Sequence, residues 1–305
     1  MSSENKTDHV TYINRSTNEK IVEQIPGGNF MKFLYGQSPL GKITLNGLFK
    51  RKFISSIFGG ILNLGISKLR VKGFIAKYKM DMSAYIIPEG GFKTFNDFFY
   101  RHIKPEARPI GKGIVSPADG KILVFPKIDQ HENFFVKGSF FSVKTLLDSD
   151  TLSEKYKDGA MCIVRLAPTD YHRYHFPVAG FVGENKKIHG HYFSVSPLAL
   201  KKSLAIFCRN KREYSIIKTP ALGDVAFCDI GATMTGGIVQ SHQQNSNIKK
   251  GDEKGYFAFG GSTVVLFFEK NKMTFSEDLI KNTKNGFETA VLMGETIGNP
   301  IPEVQ

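Results

Sequence analysis

The sequence predicts an α+β protein in which a helical N-terminal region, residues 1–105, precedes a β-rich core, residues 106–305. From about Ile114 onward, short apolar runs are separated by Gly, Pro, Asn and Asp, the texture of strands and turns. Before that point the apolar residues gather in broad faces of helical spacing. A chain of 305 residues with 41% hydrophobic content is also long enough to bury a sizeable core.

Taken in order, Met1 to Lys20 is polar and charged, without an apolar stretch of signal-peptide type, so secretion is not expected. The longest uncharged apolar stretch runs from Phe53 to Ser67, shorter than the roughly 20 residues a spanning helix needs. Ile54, Ile57, Phe58, Ile61, Leu62, Leu64, Ile66 and Leu69 give it a broad apolar face. Lys50, Arg51 and Lys52 precede it and Lys68, Arg70, Lys72, Lys77 and Lys79 follow. Such a segment can lie in a membrane interface with its cations at the headgroups; it can equally be a helix packed on the core with a solvated basic rim. Its glycines weaken an uninterrupted helix.

Thr94 to Arg101 reads as a short amphipathic helix with Thr94 as N-cap and Asp97 three residues on, its aromatics facing the core. Strands are expected at Lys121–Phe125, Ala160–Leu166, Val225–Ile230 and Ser262–Phe268, the last continuously apolar and partly β-branched after its first two residues. The polar interval Ser241 to Lys254 reads as an exposed loop.

Lys and Arg total 41 against 28 Asp and Glu, a net charge of +13, which favours a polyanionic partner, nucleic acid or an anionic membrane surface. Cys162, Cys208 and Cys228 are odd in number and lack any Cys-x-x-Cys spacing, which points away from a disulfide framework and toward a reducing, intracellular setting.

Three segments could carry chemistry: Ser116-Pro117-Ala118-Asp119-Gly120, Tyr171-His172-Arg173-Tyr174-His175-Phe176-Pro177, and Phe259-Gly260-Gly261-Ser262-Thr263. Taken singly, Asp119-Gly120 is a turn before a strand, and Gly260-Gly261 a tight entry into the next one. His172 and His175 would be neighbours on a helix and on opposite faces of a strand. No carboxylate stands at a familiar zinc-ligand spacing, so no metal is expected. The third segment is not a Gly-x-Ser-x-Gly elbow, because residue 264 is Val.

In this order, however, the segments resemble the phosphatidylserine decarboxylase family, over most of the chain. Pro117-Ala118-Asp119-Gly120 and Tyr171 to Pro177 match its motifs. Thr94 to Phe99, Arg108-Pro109-Ile110, Tyr192-Phe193-Ser194-Val195, Arg209-Asn210 and Gly231-Ala232-Thr233 are similar as well. Gly260 stands where the best-known members carry Leu.

The resemblance implies a zymogen that cuts itself between Gly261 and Ser262, giving a large chain (1–261) and a small chain (262–305). Ser262 would be the nucleophile, His175 its base, and Asp119 the group that fixes the tautomer of His175. The acyl shift gives an ester; loss of the Ser262 α-proton expels the Gly261 carboxylate, and the dehydroalanine left behind tautomerises and hydrolyses with loss of ammonia. A covalent pyruvoyl cofactor derived from Ser262 results. It would form a Schiff base with phosphatidylserine and accept the electrons released as carbon dioxide departs, with His172 as the proton donor to the carbanion. Phosphatidylethanolamine is the implied product, which places the chain in phospholipid biosynthesis.

A lipid substrate favours an anionic membrane over nucleic acid. It makes residues 1–105 a helical, membrane-associating region, 106–305 a β-rich catalytic core, and the expected location the cytoplasmic side of the cell membrane, as a peripheral protein. A homodimer is within what the resemblance allows. The competing readings are a serine hydrolase using Ser262, His175 and Asp119 on an external ester or amide, and a non-enzymatic basic module.

Overall fold

Ser262–Phe268, with five consecutive apolar residues after Thr263, is a fully buried strand at the centre of the principal sheet. The computed structural model describes residues 11–23, 60–128, 142–191, 193, 205–231, 237–258 and 262–302. Its strands are β1 (Thr11–Asn14), β2 (Lys20–Val22), β3 (Ile114–Val115), β4 (Gly120–Phe125), β5 (Ala160–Leu166), β6 (Arg173–His175), β7 (Gly180–Val182), β8 (Lys186–Ile188) and β9 (Arg212–Thr219). They continue as β10 (Gly223–Gly231), β11 (Ile238–Gln240), β12 (Ser246–Ile248), β13 (Glu253–Phe257), β14 (Ser262–Phe268), β15 (Met273–Phe275), β16 (Glu288–Val291) and β17 (Thr296–Pro300). The helices are α1 (Leu69–Tyr78), α2 (Phe95–Phe99), α3 (Val143–Leu147), α4 (Asp150–Lys155), α5 (Ala205–Arg209) and α6 (Glu277–Lys284). The fold is thus mixed, with a large β core and few helices among the described residues.

Eleven of the described strands form one sheet in the order β12-β7-β9-β10-β14-β5-β4-β16-β1-β2, with β8 also on β9. β14 is antiparallel to both neighbours, β10 and β5. A small sheet, β11-β13-β6, contributes Tyr174, Phe257 and Ile238 to the same core as Val264, Leu266 and Phe268 of β14. The opposite face of β14, Val265 and Phe267, packs with Leu146 and Leu147 of α3 and with Tyr156. Burial on both faces explains why the strand reads as an unbroken apolar run. Its five apolar side chains, Val264 to Phe268, together contribute on the order of 10 kcal/mol of burial energy to keeping this strand in the sheet.

Thr94 caps α2 as expected: its hydroxyl accepts the Asp97 N–H at 3.0 Å, and Phe95, Phe98 and Phe99 are buried with Leu62 and Val71 in a core of their own. The expected helix at 53–69 is interrupted. Residues 53–59 and the cations at 50–52 lie outside the described residues. Beyond them a helical turn at 60–62 ends, a 3₁₀ turn spans Gly65–Lys68, and α1 begins at Leu69, the glycine marking the break. Leu62 and Val71 are buried, whereas Leu64, Ile66 and Leu69 are 56%, 72% and 73% exposed. Among the described residues no helix is long and apolar enough to cross a membrane.

Two expectations need correction. Residues 1–105 are not helical throughout: β1 lies parallel to β16, so this hairpin extends the main sheet. Nor is Ser241–Lys254 simply an exposed loop. It contains β12, paired with β7, and the start of β13, paired with β6. Lys254 is fully buried, because a carboxylate from β10, Asp229, meets its ammonium at 2.6 Å.

Candidate active site

Three adjacent strands end together at one edge of the main sheet. Ser262 opens β14 opposite Leu166, the last residue of β5. Lys121 pairs with Arg165, so the register sets Gly120 opposite Leu166 as well, with Asp119 one residue beyond. At about 4.8 Å per strand, the Cα atoms of Gly120 and Ser262 are roughly 10 Å apart. The chain leaving β5 turns through Tyr171 and His172 into β6, and the His175 N–H donates to Pro117 O at 2.7 Å. Asp119, both histidines and Ser262 therefore belong to one end of the fold. All four are buried.

Asp119 is held on two sides. Arg108 donates to it through a parallel pair, Nε to Oδ1 at 3.0 Å and Nη2 to Oδ2 at 2.6 Å. The Met293 N–H donates to Oδ1 at 2.8 Å. Burial pulls the Arg108 pKa down, but the hydrogen bonds and charge of Asp119 outweigh it and hold the guanidinium above its ordinary value.

The His175 Nδ1 lies 2.9 Å from Gly251 O. A carbonyl oxygen can only accept, so Nδ1 carries the proton and Nε2 is the basic nitrogen. Nε2 in turn meets the Tyr171 hydroxyl at 3.1 Å. Burial drives the His175 pKa below its ordinary value, Arg173 adding to the effect, against the opposing pull of Gly251 O, Glu253 and Asp119. Burial thus favours the neutral imidazole over the imidazolium. Burial likewise raises the Tyr171 pKa, so its phenol stays a donor. Gly251 itself is required: its φ is +89°, and a Cβ there would meet Ile110 Cδ1 at 2.8 Å.

The tautomer expected from Asp119 is thus set by the Gly251 carbonyl. Among the described residues no hydrogen bond joins Asp119 to His175 or His175 to Ser262; the Asp119 charge reaches His175 through space. His172 has separate surroundings, with Nδ1 2.9 Å from Asp170 O and its ring centroid 3.9 Å from that of Phe99. His175 stacks on Tyr171 instead. Among the described residues no group of three or more His, Cys, Asp or Glu could hold a metal ion.

Ser262 is completely buried, and its Oγ has no hydrogen-bond partner among the described residues. Gly261 lies outside them. A buried, unengaged hydroxyl at the start of a central strand fits a residue that is to be converted into a carbonyl group, since no hydrogen bond of the native core is lost with it.

Arg108, Tyr171 and Gly251 escaped the sequence reading as functional residues. Tyr171 had a usable signal, four residues before His175 within one motif. Gly251 had none that is local, because it meets His175 from 76 residues away; Arg108 stands only 11 residues before Asp119, but nothing in either residue says that they pair.

A family model described as Phosphatidylserine decarboxylase matches residues 95–299. A phosphatidylserine decarboxylase proenzyme of Fusobacterium nucleatum is 50% identical over 295 residues, covering 96% of this chain and 98% of the relative. Proenzymes of the same name from Clostridium tetani (44% identical; 95% and 98% covered) and Clostridium perfringens (43%; 94% and 98%) are similar over comparable spans. The likeness runs through every segment of the site and almost the whole length of both chains: this chain belongs to the phosphatidylserine decarboxylase family.

Proposed function

We propose that the chain is a self-processing phosphatidylserine decarboxylase whose prosthetic group is made from Ser262. The reaction is conversion of phosphatidylserine to phosphatidylethanolamine and carbon dioxide. The observation that carries the self-processing reading is Ser262 itself, a buried serine with an unengaged hydroxyl at the edge shared by Asp119, His172 and His175.

A pyruvoyl group at residue 262 would supply a carbonyl that joins covalently to the substrate amine and, with the adjoining amide, a sink for the electron pair freed as carbon dioxide leaves. The rest is the work of the chain's own side chains. Nε2 of His175, unprotonated because Nδ1–H is bound to Gly251 O, takes the Ser262 hydroxyl proton during maturation. Asp119 favours the imidazolium that results and, through Met293, ties the small segment to the large one. His172 supplies a proton to the substrate carbon after decarboxylation. β14 keeps residues 262–305 docked after cleavage.

Leu64, Ile66 and Leu69, exposed beside Lys68, Arg70 and Lys72, form the surface that meets the bilayer, with cations at anionic headgroups. The protein acts as a peripheral membrane protein on the cytoplasmic face. The test is a vesicle assay with carboxyl-labelled phosphatidylserine: label is released as carbon dioxide by the wild-type protein and not by Ser262→Ala. Equal release by both would remove Ser262 from the mechanism.

A further inference from the structure

The face of the sheet that carries Ser262 also carries two buried carboxylates, Glu213 and Asp229, which pair in register across β9 and β10. Along β14, Val264, Leu266 and Phe268 belong to the core shared with the small sheet, and Val265 and Phe267 to the opposite core; by alternation Ser262 points to the first. On β10, Val225 and Phe227 point the same way, with Ala226, Cys228 and Ile230 opposite, which puts Asp229 on the face of Ser262. The register pairs Gly231 with Ser262 and Asp229 with Val264. Asp229 is therefore the diagonal neighbour of Ser262, about 7–8 Å away along the backbone and closer at the side chains.

Asp229 and Lys254 are both wholly buried. Asp229 Oδ2 accepts from Lys254 Nζ at 2.6 Å and from Gln240 Nε2 at 2.8 Å. Lys254 also donates to Gln240 Oε1 at 3.0 Å and lies over the rings of Phe227 and Tyr174. Neither Asp229 Oδ1 nor Ser262 Oγ has a hydrogen-bond partner among the described residues. As core filling this is poor design: two apolar side chains of similar volume stabilise as well as a buried ion pair, and an unmet carboxylate oxygen adds a further cost. Two orphan oxygens thus stand at diagonal positions on one face, and a bridging water is a common way to satisfy such a pair.

We propose that Asp229, clamped by Lys254 and Gln240, is a positioning residue for Ser262: its Oδ1 accepts from the Ser262 hydroxyl through one bridging water and sets the side-chain rotamer from which Oγ attacks the preceding carbonyl. This rests on the reading of Ser262 as the self-processed residue. Lys254 acts only by keeping Asp229 ionised and in place.

The experiment follows conversion of newly made full-length chain into two chains on a denaturing gel, with circular dichroism to establish folding. The double variant Asp229→Leu/Lys254→Met removes both charges and leaves no unpaired one, so it folds, and its cleavage is at least tenfold slower than wild type. Lys254→Met alone, which leaves Asp229 unpaired and neutral, is slowed in the same direction and serves if the double variant does not fold. Asp229→Glu, which keeps the carboxylate, recovers a large part of the rate. Folded double or single variants that cut at the wild-type rate would overturn the proposal, as would Asp229→Glu cutting no faster than the double variant. An uncut wild-type chain would instead overturn the self-processing reading itself.

Discussion

Asp119 and Arg108 face each other through two parallel hydrogen bonds, 3.0 and 2.6 Å, with side chains only 7% and 11% exposed. A buried fork of this kind is costly to break from one side, because the surviving charge is left without its partner. Arg108→Ala is expected to lower stability by about 3 kcal/mol, read as the shift in urea midpoint in a Ser262→Ala background where no cleavage intervenes. Arg108→Lys recovers the charge without the fork and falls between the two. A loss under about 1 kcal/mol would mean that the pair behaves as a solvent-exposed one.

The cap of α2 gives a smaller, local prediction. Thr94 Oγ1 accepts the Asp97 N–H at 3.0 Å, and the helix it opens buries Phe95, Phe98 and Phe99. Thr94→Ala costs about 1 kcal/mol, and Thr94→Ser restores most of it; both are measured by thermal unfolding.

These two pairs also show what the sequence could and could not reveal. Thr94 and Asp97 are three residues apart, so capping chemistry is written in the local pattern. The burial of Ser262–Phe268 is equally local, since an unbroken apolar run announces a strand covered on both faces. Arg108 and Asp119 are close in sequence, yet nothing in either says that they pair, and the Met293 N–H that completes the site is 174 residues from Asp119. Lys254 was the costliest misreading: a lysine closing a polar interval looks solvated unless Asp229, 25 residues upstream, is known to lie beneath it. The motifs identified which residues form the site; only the fold showed that Gly251, not Asp119, fixes the tautomer of His175.

That tautomer has a pH consequence. Burial lowers the His175 pKa from 6.5, so the neutral ring that can act as a base persists below pH 6.5. The rate of chain cleavage is expected to stay level as pH falls from about 8 to 6.5 and to decline only at more acid pH. The folded state also binds fewer protons here than the unfolded chain, so the stability of the Ser262→Ala protein declines as pH falls from 6.5 toward the depressed value. A cleavage profile with its inflection at or above 6.5 would contradict this assignment of the base.

The exposed Leu64, Ile66 and Leu69 give the docking proposal its test. Replacing all three with Ser removes apolar area that a bilayer would bury, at roughly 1.5 kcal/mol or more per side chain, so sedimentation with phosphatidylserine-containing vesicles falls at least tenfold. Raising the salt concentration weakens binding of the unmodified protein, because Lys68, Arg70 and Lys72 act through screened charges. Binding that is unchanged in the triple variant and indifferent to salt would exclude this surface.

Everything about the site turns on whether Ser262 is consumed to make the reactive group, and intact mass spectrometry of the purified, active protein answers this directly. The expected result is two chains, residues 1–261 and 262–305, with the smaller lighter by one ammonia than a peptide beginning with Ser262. An active protein consisting of one intact chain, or a small chain that retains an unmodified serine, would contradict it.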